Sequence, residues 1–218
     1  METFEKRLRR YTVEDDLGIF GWLTVYLHNS YMSELWKASD HRLYHCVYLI
    51  SHAVMQTIAE KMFGKSGRDA TMFYLENFVD GADADKKFSL ISDDIHDLRN
   101  ILAHQGYSGL QHRVEYFADD IPEGWKRDAG VVLINPRVYA GQFEEAFAQG
   151  AHVRMYRQLP YEERALRKYQ YIKQWLGLDR AHPIAQAIRG LERCANIQDV
   201  RAQEAVIQRL IFGEYGLT

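Results

Sequence analysis

Cysteine and proline are both scarce in this chain: 218 residues hold two of the first and four of the second. Cys46 and Cys194 sit among apolar helical residues, with no CxxC or Cys/His ligand spacing around them. A disulfide framework and a zinc ribbon are thereby excluded, and both cysteines are expected as buried free thiols. With so few prolines, little interrupts long helices. Also missing is any run near the roughly 20 apolar residues that span a bilayer, and Met1 to Arg7 carries no apolar leader. The expectation is therefore a cytoplasmic protein without a membrane partner. What is present is ordinary for a folded domain: 47% apolar and 26% charged residues, enough for one substantial core or a core with a small appendage.

The net charge of −3 hides an asymmetry. Residues 1–150 hold 16 Lys/Arg against 23 Asp/Glu, whereas residues 151–218 hold 11 against 7. Long-range attraction for a polyanion would come from the C-terminal third. Uneven charge on helical surfaces is common, so this observation stands with equal weight as plain surface variation.

Hydrophobic periodicity is mainly helical. Residues 14–36 are apolar all round and read as a central helix. Ser39 or Asp40 can cap the next, in which Leu43, Val47, Ile50, Val54 and Ile58 run toward a stop at Gly64. A third helix over residues 68–80 turns Met72, Leu75 and Phe78 or Val79 inward, and a polar link leads to a helix over residues 88–107. Then the period changes. Val114, Tyr116 and Ala118 alternate, residues 119–128 read as a loop, and Val131 to Ile134 follow, so a β-hairpin near 112–135 is expected. Asn135-Pro136 opens a helix that Gly150 ends. Pro160 opens another to Gly177, and Pro183 one or two more, broken near Asn196 to Asp199. The fold class is mainly α, with residues 1–150 as a helical bundle including the hairpin and 151–218 as a C-terminal helical extension.

The most specific stretch is Asp93-Asp94-Ile95-His96-Asp97-Leu98-Arg99-Asn100-Ile101-Leu102-Ala103-His104. At about 100° per residue, Ile91, Ile95, Leu98 and Leu102 form one stripe suited to burial. Asp93, His96, Asn100, His104 and Tyr107 fall nearly opposite, with Arg99 at the border. Arginine can neutralise a phosphorane, histidine can move protons near neutral pH, and asparagine can hydrogen-bond either of them or a sugar hydroxyl. The same residues also suit a plain solvated helix whose terminal histidine complements the macrodipole. The acidic residues would repel phosphate unless cations offset them. Alternatively, Asp93 or Asp97 near His104 would raise its pKa and hold it protonated.

Arg99-Asn100-x-x-x-His104, near the end of an amphipathic helix in a helical chain, resembles the motif of the HEPN superfamily (higher eukaryote and prokaryote nucleotide-binding domains). The likeness covers this helix closely and the preceding helices in general character. It implies an antiparallel helical bundle and a homodimer whose paired motifs form one composite site. The implied activity is metal-independent cleavage of single-stranded RNA, requiring no cofactor: a 2′-hydroxyl attacks the adjacent phosphorus and leaves a 2′,3′-cyclic phosphate. His104 would transfer protons, Arg99 would stabilise the phosphorane and Asn100 would orient His104 or the ribose. The resemblance equally covers a toxin or defence effector silenced by an antitoxin or regulatory protein, and a non-catalytic dimeric adaptor or nucleotide-binding module. One subgroup carries an adenylylated tyrosine two residues after the motif histidine; Tyr107 stands three after His104, so it is a candidate RNA contact, a modification target or simply the packed end of the helix.

Two further groups stand out. His41, His45 and His52 share a face of the second helix. Histidines four apart can chelate zinc, but no His-Glu-x-x-His signature accompanies them, so packing or a dimer groove is the expected role and no metal is expected. Arg164, Arg167 and Lys168, interleaved with Tyr161, Tyr169, Tyr171 and Trp175, suit single-stranded RNA, although Leu166, Tyr169, Ile172 and Leu176 also fit a buried stripe. Gly64-Lys65-Ser66 imitates a P-loop, yet a helix precedes it and Ala59 replaces the first glycine.

Overall fold

The structure, a computed structural model, describes residues 2–13, 16–83, 85–105, 114–115 and 117–217. Among the described residues it is mainly α, with one small sheet. In chain order the elements are α1 (Phe4–Val13), α2 (Asp16–Leu27), α3 (Ser33–Asp40), α4 (Tyr44–Phe63), α5 (Gly67–Tyr74), α6 (Asp80–Ala82) and α7 (Ser92–Gln105). The strands β1 (Val114–Glu115), β2 (Trp125–Asp128) and β3 (Val131–Ile134) follow. Then come α8 (Pro136–Ala148), α9 (Ala151–Gln158), α10 (Tyr161–Trp175), α11 (Pro183–Leu191) and α12 (Ile197–Tyr215).

Contacts divide the chain into two units, residues 25–154 and residues 1–24 with 155–218. The first 24 residues were expected in the N-terminal domain; they pack instead with the C-terminal segment, because the amphipathic α1 buries Leu8 and Tyr11 beside α12. In that unit α10, α11 and α12 pack on one another around Tyr169, Ile172, Ile184, Ile188 and Ile207.

In the unit of residues 25–154, α4 is the central element, packed against α3, α5, α7 and α8. Val47, Tyr48, Ser51, His52, Val54, Met55, Ile58 and Ala59 are all buried along it. Gly64, left-handed, ends α4 where the periodicity predicts, with Gly64 N–H on Glu60 and Lys65 N–H on Ala59. The start differs: α3 continues to Asp40, Arg42 takes φ +57°, and α4 begins at Tyr44 without a side-chain cap.

The apolar stretch expected at the centre lies partly at the surface. Val25 is 58% exposed and Trp36 54%. One helix does run from Asp16 to Asp40, but a π-helical turn at His28–Met32 joins α2 to α3 and resets which side chains face inward. A second π-turn, Leu75–Val79, joins α5 to α6 and buries Tyr74, Leu75, Phe78 and Val79, while Met72 points outward, contrary to the inward position expected for it. A 3₁₀ turn at Phe88–Ile91 leads into α7.

The expected hairpin pairs differently. β1 runs parallel to β3, and the antiparallel partner of β3 is β2, inside the segment read as a loop. The two residues between β2 and β3, Ala129 at φ +45° and Gly130 at φ +85°, form the tight turn whose twist suits antiparallel strands. Gly124, at φ +89°, ends the crossing segment that leads into β2 (residues 117–124), where a Cβ would come within 2.8 Å of the Phe88 ring. Asn135 locks the return: its side-chain oxygen accepts from Arg137 and Val138 N–H at 3.1 and 3.3 Å, and its amide donates to the carbonyls of Asp119 and Ile121. Neither cysteine is buried. Cys46 is exposed on the first turn of α4, and Cys194, half-buried, donates from Sγ to the Gly190 carbonyl.

Candidate functional site

The apolar stripe of α7 is buried as its spacing predicts. Ile91, Ile95 and Leu98 are essentially inaccessible and Leu102 is 6% exposed, so α7 is seated on α4 and α5. This seating turns Arg99 and Asn100 to a half-buried border and leaves His104 exposed in the last turn. Arg99 Nη1 donates to Asn100 Oδ1 at 2.8 Å, so the amide oxygen serves the guanidinium and not the imidazole. Three functional groups thus share the C-terminal half of one helix, with the arginine held by a neutral partner.

The acidic residues earlier in α7 are matched by cations from elsewhere. Arg68, at the start of α5, donates to Asp93 at 3.0 Å and to Asp97 at 2.5 Å, and Arg127 of β2 donates to Asp94 at 2.9 Å. Asp93 and Asp97 are therefore engaged by Arg68, and the alternative in which one of them supports His104 is replaced by this pairing. These bonds are exposed and contribute little to stability. Their electrostatic effect is more useful, since they cancel much of the negative field before Arg99.

His96, expected on the open polar face, is drawn inward. Its Nδ1 lies 3.2 Å from Thr71 Oγ1 and 3.3 Å from His52 Nε2, and Thr71 Oγ1 also lies 3.4 Å from His52 Nε2. Gln56 donates to Thr71 Oγ1 at 3.2 Å and to the Gly67 carbonyl at 2.8 Å. The result is a polar knot joining α4, α5 and α7 directly behind the motif. Burial lowers the pKa of His52 to about 3, and the charge on Arg99 pushes the same way. Partial burial and then Arg68 lower that of His96. Both imidazoles are neutral at pH 7.

The histidine stripe does not form. His41 lies in the turn before α4, His45 is exposed and His52 is buried in the knot. Among the described residues no group of three His, Cys, Asp or Glu side chains converges as metal ligands would.

The C-terminal basic residues divide. Lys168, expected to contact RNA, is only 4% exposed and donates from Nζ to the Thr12 carbonyl at 3.1 Å, so it is an internal tie of its unit. Arg164 and Arg167 are half-buried, Arg167 bonding Glu163 and Gln170. Of the aromatics near them Tyr169 is buried, while Tyr171, half-buried, stacks on Phe20 and Trp175, also half-buried, packs on Phe4 and Tyr11. Tyr107 lies outside the described residues.

Sequence reasoning missed Arg68 and Thr71 altogether. Their only signal was the acidic run on α7, which required a cation from another element. No protein-family model, curated protein or solved structure matches the chain. What the fold and the site define is a mainly helical protein presenting an arginine, an asparagine and a histidine at one helix end.

Proposed function

We propose that this protein is a metal-independent endoribonuclease of HEPN type that acts on single-stranded RNA as a homodimer, in the manner of a toxin or defence effector. The observation carrying the reading is that Arg99 is held by the neutral amide of Asn100 while Asp93, Asp94 and Asp97 are each bound to another cation. A guanidinium so placed is available to a phosphate. His104, exposed one turn beyond Asn100, is the proton-transfer group, and Arg99 stabilises charge on the phosphorane. Asn100 positions Arg99 through its oxygen, so its N–H donors are the part that reaches a ribose hydroxyl.

Incubation of labelled single-stranded RNA with wild-type, Arg99→Ala and His104→Ala proteins in excess EDTA tests this. Wild type alone should leave 2′,3′-cyclic phosphate ends, with each variant losing at least about 100-fold in rate. DNA, lacking the 2′-hydroxyl, should remain intact. Equal cleavage by all three proteins, or none by any, would sink the assignment.

One observation favours a second reading. Residues 25–154 carry 18 Asp/Glu against 13 Lys/Arg, which disfavours a polyanion. In that case the unit is a non-catalytic dimeric adaptor or nucleotide-binding module that docks a basic regulatory partner. Stoichiometric recovery of such a partner, without RNA turnover, would distinguish it.

A further inference from the structure

Away from α7, the helix that passes through the His28–Met32 π-turn into α3 lies against α8. Two adjoining cavities open there, sharing Trp36 and Glu144 as their common wall. The larger, about 380 Å³, has Met32 and Phe147 as its apolar sides and His28 and Asn29 at its edge. The smaller, about 250 Å³, reaches Asp40 and Arg137. Cavities of this size that are mostly apolar, with a few convergent polar groups, hold small molecules. A π-turn in a helix wall often accompanies such sites, because the extra residue per turn re-aims side chains.

Trp36 is the least expected member. It is 54% exposed, although it is among the largest apolar side chains in the unit, and it lines both cavities together with Glu144. His28 stacks on Phe147 at 6.3 Å and 17°. An open indole face beside a carboxylate, over an apolar floor, is the chemistry that recognises an organic cation. The acidic balance of residues 25–154 is complementary to one.

We propose that the larger cavity binds a small organic ammonium ion with an apolar body, the ammonium seated between the face of Trp36 and the carboxylate of Glu144 and the body lying against Met32 and Phe147. The site is independent of the ribonuclease reading, since none of its residues belongs to α7. Glu144 supports the assignment from a second direction. Burial raises its pKa from the ordinary carboxylate value, so a cation beside it would favour its charged form. A cationic ligand supplies that charge; a neutral ligand of the same shape does not.

Calorimetric titration of the full chain with phenethylammonium, and with 2-phenylethanol as its neutral isostere, tests the proposal. Phenethylammonium should bind at least tenfold more tightly than the alcohol and shift the indole N–H resonance of Trp36 in NMR spectra. Glu144→Gln, which keeps the size and removes the charge, should weaken it at least tenfold, and so should Trp36→Leu, with the alcohol nearly unaffected by the first change. A third titrant, Nα-acetyl-lysine methylamide, identifies the source of the ammonium: tighter binding than phenethylammonium assigns the site to a protein lysine, weaker binding to a free amine, and both sustain the chemistry. Equal binding of amine and alcohol, amine binding that survives Glu144→Gln, or no amine binding at all would overturn it.

Discussion

His152 is fully buried between Phe147 and Phe78, and among the described residues neither of its ring nitrogens has a hydrogen-bond partner. Burial, reinforced by Arg154, lowers its pKa to about 4. A histidine held neutral in the fold but free to protonate when unfolded binds fewer protons folded than unfolded between pH 4 and 6.5. Stability is therefore complete above about pH 6.5 and is lost as pH falls toward 4. His52, with a pKa of about 3, extends the loss to lower pH. Replacing His152 with leucine, close to it in volume, should make the stability profile between pH 6.5 and 4 shallower, leaving the part due to His52, and leave stability at pH 7 unchanged or higher by about 1 kcal/mol. Urea midpoints across that range decide it; an unaltered slope would show that His152 does not control the acid limb. At this scale the stripe Ile91, Ile95, Leu98 and Leu102 was readable, since helical spacing alone assigns a face. The inward turn of His96 was not, because its partner Thr71 lies 25 residues away on α5.

Among the elements, the π-turns and the sheet carry most of what was misread. An inserted residue per turn shifts helical phase by about 100°, which moves Met72 outward and leaves Val25 and Trp36 open although composition favours burial. The β2–β3 turn hides behind Ala129, an unusual occupant of a left-handed position. Helix ends fared better: Asn135-Pro136, Gly64 and Asn196 act locally, so their chemistry shows in a few adjacent letters. Asn135 does more than cap, joining α8 to the crossing segment before β2 through both ends of its amide. Asn135→Ala should cost about 2–4 kcal/mol, a cap of roughly 1 kcal/mol plus the lost amide bonds to the Asp119 and Ile121 carbonyls, of which Ile121 keeps the Gly124 N–H. Asn135→Asp, which keeps the capping oxygen but loses the donors, should fall between wild type and alanine in urea denaturation. A loss below about 1 kcal/mol in the alanine variant would show that the crossing segment is held by other contacts.

On the scale of the whole molecule, the unit formed by residues 1–24 and 155–218 is discontinuous, and one carbonyl does much of its closing. Thr12 O accepts from Lys168 Nζ at 3.1 Å, Gln208 Nε2 at 3.3 Å and Tyr169 OH at 3.4 Å. Lys168→Ala should therefore destabilise the protein by about 2–4 kcal/mol, through lost packing and a weakened tie, whereas Lys168→Met, which keeps the apolar stem, should retain most of the stability. Neither change should alter RNA cleavage once folding is matched; a selective loss of cleavage in Lys168→Met would return this lysine to the RNA-binding surface.

The amino-acid sequence by itself determined the mainly helical class, most helix ends, the buried stripe of α7 and the presence of Arg99, Asn100 and His104 on one helix, because these follow from periodicity and capping within a few residues. Only the tertiary structure decided that Arg68 and Arg127 neutralise the acidic run, that His52, Thr71 and His96 knot three helices, that Lys168 turns inward and that Trp36 stands open beside Glu144. Each of these depends on which element covers which face. Helical spacing fixes a side chain's direction about its own axis, but the neighbour it meets is set by packing between segments far apart in the chain.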